Sequence, residues 1–195
     1  MPMSMLAKLR ASADSLLRSL RGRGPAPAPP RRPPVTGSPR PGRVGAGAPV
    51  TDTEFAPGRI GPDATVEVDP RRIGRVHMTY SPATDGDPDP GEIVWTWVPF
   101  EERDGRGKDR PVLVVAGEPD GTWLAVQLTS KPHQGDAEFV PVGAGAWDSA
   151  GRPSWVNVDR VFRLHRSGMR REACALPAAP FGAVQARLRQ RYGWH

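Results

Sequence analysis

Three runs in the second half of the chain decide the fold: GEIVWTWVPF (91–100), KDRPVLVVAG (108–117) and VQLTSKPHQGD (126–136). The first two are apolar and rich in β-branched and aromatic residues, which favour a pleated, packed surface. A polar loop with two glycines joins them and delivers Arg110-Pro111 onto the second run. The third run ends in adjacent hydroxyls, Thr129 and Ser130, followed by Lys131. Strand ends of this kind let a small barrel gather Arg110, Thr129 and Ser130 beside one groove.

Outward from these runs the β texture continues. TWLAVQLTS, AEFVPV and SWVNVDRVFRL are further short apolar segments punctuated by Gly, Asp and Pro, the pattern of a small, partly open barrel. After Pro180, Phe181, Val184, Leu188 and Tyr192 recur at helical spacing, and Gly193 follows as a stop. The expected fold is mainly β with α: an SH3-like barrel of about five short strands plus a C-terminal helix. All six tryptophans fall in residues 91–195, where the core is expected.

The first half reads differently. Residues 5–20 place leucines at helical spacing with Lys8, Arg10 and Arg18 on the other faces. Residues 22–50 hold nine prolines and almost no large apolar residue, too little to offset the entropy of ordering. The expected organisation is a basic, Pro/Arg-rich disordered arm with a short amphipathic helix (1–50), a linker with a possible edge strand (51–87), and the barrel (88–195). Within the linker, ATVEV and RVHMTY show some β pattern.

Charge is spread unevenly. Residues 1–50 carry nine Lys/Arg and one acid, residues 51–90 four Arg and eight acids, residues 91–195 fourteen Lys/Arg and twelve acids. The high pI therefore belongs to the arm, and it is no argument that the barrel binds nucleic acid. Cys174 is the only cysteine, which excludes an intramolecular disulfide and a four-cysteine zinc site. Four unclustered histidines point to no metal and no cofactor. There is no transmembrane run, and no continuous apolar stretch of a secretory signal, so a reduced, cytoplasmic setting is expected. Phosphate-loop, HExxH and nucleophile-elbow patterns are absent.

Taken in order, Gly91 to Trp95, the loop leading to Arg110-Pro111 and VLVV, the Thr129-Ser130 pair, and Asn157-Val158-Asp159-Arg160-Val161 resemble the PemK/MazF family of bacterial toxin ribonucleases. The resemblance implies a PemK-type barrel and a metal-independent endoribonuclease that cleaves single-stranded RNA. The RNA's own 2′-OH attacks, leaving a 2′,3′-cyclic phosphate and a 5′-OH. It implies a homodimer, a cognate antitoxin partner, and promoter DNA bound together with that antitoxin. It makes Arg110, Thr129, Ser130 and Asp159 the catalytic candidates, with Asp159 a candidate base. Lys108, Lys131, His133 and Arg160 are substrate-binding candidates, His133 also an alternative base. Asn157 stands where some relatives carry a basic residue, and the long stretch ahead of residue 91 is a further departure.

The residues fit that chemistry. Arginine offers a permanent planar charge suited to phosphate oxygens, and hydroxyls can donate to the same oxygens. DNA lacks the 2′-OH and would be spared. Each candidate also has a plainer role: Arg110 paired with Asp109, Thr129 and Ser130 as strand-end caps, Asp159-Arg160 as a solvated pair. Trp95 and Trp97 share one strand face and read as core, while Trp147 or Trp155, flanking a Gly-rich loop, could stack on a base. The loop 101–109 is expected to be mobile and to act as a lid. Two other functions remain open: a barrel that binds nucleic acid or a protein without catalysis, and a soluble domain tethered to a membrane surface by its basic helix.

Overall fold

The computed structural model describes residues 56–83 and 85–195. These belong to one compact unit, Ala46–His195. The expected helix at 5–20 and the arm at 1–50 lie outside the described residues.

Five expected strands appear as β2 (Glu92–Pro99), β3 (Gly107–Gly117), β4 (Trp123–Thr129), β5 (Phe139–Gly143) and β6 (Ser154–Leu164). Two more join them, β1 (Val66–Val68) and β7 (Arg170–Ala175), so the sheet has seven strands in the order β1-β6-β4-β3-β2-β7, with β5 also on β6. All pairings are antiparallel. β6 holds the assembly together: β4 runs along one edge, while β5 and β1 share the other. Register shifts in four ladders, at Ile93/Val94, Val114/Ala116, Val126/Gln127 and Pro141/Gly143, add the local twist that curls a flat sheet towards a barrel.

The sheet is buried on both faces, and β3 shows why its run is unbroken. Leu113 and Val115 join a core with Val126, Leu128, Val156 and the helix, while Val112 and Val114 join a second core with Val94, Ala125 and Phe162. A strand covered on both sides has no polar face to alternate with. The helix α1 (Ala178–Tyr192) buries Phe181, Val184 and Leu188. Pro180 sits in its first turn, where a missing N–H costs nothing. Gly193 ends it in the left-handed region (φ 71°), its N–H bonded to the Arg189 carbonyl at 2.9 Å, a glycine stop.

Residues 56–83 are wrapped onto the sheet. Val76 and Met78 are buried in the larger core, and Met78 N–H bonds the His195 carbonyl while His195 N–H bonds that of Val76. Trp97 N–H bonds the Pro57 carbonyl at 3.0 Å. Thr96 on β2 donates its hydroxyl to the Gly168 carbonyl at 2.6 Å and meets Thr65 Oγ1 at 2.5 Å. Gly58 (φ 79°) lies so close to Thr65, Thr96 and Gly168 that a Cβ there would collide with all three. Among the described residues, no helix is long and apolar enough to cross a membrane.

Candidate functional site

β3 and β4 pair from Gly117–Trp123 down to Val112–Gln127 and then part. Beyond that point β3 continues on β2, Pro111 opposite Trp95 and Arg110 opposite Thr96, while β4 continues on β6, Thr129 opposite Trp155. Pro111 stands where the strands diverge and brings no N–H that would be left unpaired. The split opens a groove of about 580 Å³. Arg110, Thr129, Ser130, Lys108 and Lys131 all line it, so five of the eight expected site residues come together at one place.

Arg110 is half-buried and has no hydrogen-bond or carboxylate partner among the described residues. Burial holds its pKa below the ordinary arginine value, and the Arg160 guanidinium nearby lowers it further. It stays cationic at neutral pH, so it is a charge that folding has partly desolvated without compensation. Asp109, its sequence neighbour, pairs instead with Arg170 on β7 at 2.6 Å. Thr129 Oγ1 accepts the Lys131 N–H at 3.1 Å, a local turn that leaves the hydroxyl hydrogen free to donate. Ser130 is half-buried.

Opposite these, Trp147 is buried with its indole N–H on Ser154 Oγ at 3.1 Å. Asp148 is held by Arg152, which keeps the Asp148 carboxyl below the usual carboxylate range. Trp95, read as core from its spacing with Trp97, is only half-buried and lines the groove, with Arg170 5.9 Å from its ring centre. Alternation put both tryptophans on one face correctly; it could not show that this face is sealed over Trp97 and open beside Trp95.

The other three expected residues lie elsewhere in the chain. His133 stacks on Phe139 with ring centres 3.5 Å apart and bonds Asp136 at 2.9 Å. Asp159 pairs with Arg191 of α1, and its N–H bonds Asn157 Oδ1. Arg160, on β6, bonds Glu67 and the Pro99 carbonyl and lines a shallow pocket together with Arg110, Gln127 and Phe100. A larger cavity of about 850 Å³ lies between β1 and the end of α1, but its Arg103 and Arg191 face Glu67 and Asp159. The loop after β2 is shorter than 101–109, because Gly107–Asp109 are already strand. It is braced by Phe100 N–H to the Arg106 carbonyl and by the Asp104–Arg106 pair. Among the described residues no three His, Cys, Asp or Glu side chains form a metal-ligand set.

Known structures with a similar chain trace include MazF from Deinococcus radiodurans, 23% identical over 55% of this chain and 97% of that one, TM-score 0.42. A MazE–MazF complex from the same organism is 23% identical over 54% of this chain and 96% of that one, TM-score 0.41. Toxin MazF-mt6 of Mycobacterium tuberculosis is 19% identical over 53% and 98%, TM-score 0.39. No curated protein matches the chain. The family comparison is more direct: residues 89–192, from just ahead of β2 to the last residue of α1 and so including every strand that frames the groove, match the PemK-like, MazF-like toxin of type II toxin–antitoxin systems. More than half of the sequence, and the whole of the Arg110 groove, falls within that match, and the chain belongs to this toxin family.

Proposed function

We propose that the chain is a metal-independent endoribonuclease toxin that cleaves single-stranded RNA by attack of the 2′-OH. One observation carries the reading most: a half-buried Arg110 with no partner among the described residues, lining one groove with Thr129 and Ser130. A desolvated cation without a counter-charge is a preorganised anion site, and it is strongest for the transition state, where phosphate charge grows. Arg110 supplies planar donors and charge, Thr129 and Ser130 donate to the same oxygens, and Lys108 and Lys131 hold the flanking backbone. The four cations and two acids of the groove (Lys108, Arg110, Lys131, Arg152; Asp109, Asp148) give a local excess of +2 on a near-neutral domain. RNA provides the nucleophile, so none is needed from the protein.

Arg110 acts by charge rather than as an acid, because its proton is held too tightly. For Asp159 to accept the 2′-OH proton, its pair with Arg191 has to open; Asp159→Asn tests that role. As in the family, we assign a homodimer, a cytoplasmic site of action, inhibition by a cognate antitoxin, and promoter binding in its company.

The second reading is a barrel that binds RNA without cutting it. Both carboxylates in the groove, Asp109 and Asp148, are paired with arginines, which leaves no free base there. One experiment separates the two. The full chain, in EDTA, is incubated with a long single-stranded RNA and the product ends are mapped. Discrete cuts with 2′,3′-cyclic phosphate and 5′-OH ends, lost in Arg110→Ala, are expected. Bound but intact RNA establishes the binding module.

A further inference from the structure

We infer that Glu67 masks a second phosphate subsite at Arg160, so that the segment ahead of the barrel limits how tightly the groove holds RNA. The inference rests on the nuclease reading above for its ligand, and on separate geometry for its mechanism.

Arg160 and Arg110 line one shallow pocket, and the Arg160 charge adds to burial in lowering the Arg110 pKa. Yet their surroundings differ. Arg160 donates from Nη2 and Nε to the two carboxylate oxygens of Glu67, at 2.7 and 3.3 Å, and from Nη2 to the Pro99 carbonyl at 2.8 Å. Its guanidinium lies 5.0 Å from the centre of the Phe162 ring, and Phe162 is the cross-strand neighbour of Glu67. A two-pronged carboxylate on a guanidinium occupies the same donors that a phosphate would take. Glu67 therefore stands where a ligand phosphate would otherwise stand, one pocket away from Arg110.

The strand that carries this carboxylate makes the shortest ladder of the sheet. β1 is three residues long, pairs only with Val161–Arg163 of β6, and leaves Val66 half exposed. Its second cation, Arg103 at the hairpin tip, is 3.8 Å from Glu67 and largely in solvent. Such a short edge strand opens locally far more often than the strands beneath it. When it does, Arg160 is released beside Arg110, and a single-stranded RNA already held at Arg110 can place a neighbouring phosphate there. RNA and Glu67 compete for one guanidinium.

The test is a double-mutant cycle on the full chain, with a single-stranded 2′-O-methyl RNA that binds without being cut. Affinity is measured against salt for the wild type, Glu67→Gln, Arg160→Ala and the pair. Glu67→Gln is expected to tighten binding about five-fold and to steepen the log–log salt slope by about 0.7, the value for one added phosphate contact on a single strand. Arg160→Ala alone is expected to change little, and to abolish the gain in the double variant. A change in thermal midpoint is read in parallel, so that partial unfolding is recognised by loss of binding in both Glu67 variants alike, which overturns the inference. If the wild type binds RNA and the cycle is flat, the mask is wrong while the nuclease reading stands. If the wild type binds no RNA but Glu67→Gln does, the mask is supported; if neither binds, both readings fall.

Discussion

Arg110 and Arg160 line one shallow pocket and meet opposite fates. Arg160 is covered by a carboxylate, a carbonyl and an aromatic ring, and other described arginines are covered in one form or another: Arg163 by Glu118, Arg171 by Glu92, Arg170 by Asp109. Arg110 is half-buried and left alone. The two residues have the same chemistry; the difference lies in whether the fold completes their hydrogen bonding. Ion pairs at a surface contribute little to stability, so counting them says little about function. The informative residue is the exception, a cation desolvated at some cost with no partner among the described residues to offset it.

The sharpest way to break this contrast is Arg110→Ala. RNA cleavage is expected to fall by roughly 10²–10³-fold, the usual cost of one preorganised charge-stabilising group. The thermal midpoint should hold or rise, because an uncompensated charge has been removed. A large loss of stability would mean that Arg110 is a structural residue after all. Next in size is Gly58→Ala, in the wrap on β2 and outside the groove lining. Positive φ and the contact with Thr65, Thr96 and Gly168 make a loss of about 2 kcal/mol the expectation in urea unfolding, with the segment around residue 58 cut faster by protease. Cleavage of RNA by the folded fraction should not change.

Thr129→Ala removes one hydroxyl donor and keeps the turn residue small. About ten-fold lower cleavage is expected, and Thr129→Ser should restore most of it; failure of serine to rescue would make the methyl group, not the hydroxyl, the important part. The smallest effect belongs to Lys131→Ala. This exposed side chain should weaken RNA binding by a few-fold and lessen the salt slope by about 0.7, with the rate at saturating RNA unchanged.

Much of the barrel was legible because its signals are local. The runs around Val94, Val114, Val126 and Val156 are apolar enough to be strands under any tertiary arrangement, and Phe181, Val184 and Leu188 mark a helix by spacing alone. Of the two extra strands, β1 falls in the stretch read as a possible edge strand, and β7 was not legible. β7 (Arg170–Ala175) is half charged and has no alternation, since its pairing with β2 comes from tertiary placement. β1 was visible only as a short β-like patch, and nothing local tells that Glu67 would find Arg160. At the groove, Thr129 and Ser130 stand at the end of β4 that sequence can locate, whereas Arg110 lies inside β3, which starts at Gly107 because the hairpin with β2 runs longer than its apolar run shows. Asp159 and His133 sit beyond its reach within one chain because their partners, Arg191 and Phe139, come from elements whose positions only the fold defines.

The wrap of residues 56–83 also bears on how the molecule is made. Its bonds join residues far apart in sequence, Glu67 with Arg160 across 93 positions and Met78 with Gln185 across 107. The hairpins β2–β3 and β3–β4 join near neighbours. Loop closure makes contacts of long separation late ones. A newly synthesised chain accordingly passes through a stage in which the hairpins are formed and the wrap is not. During that interval Arg160 lacks its Glu67 carboxylate, and the young protein has a more avid surface for polyanions than the finished one.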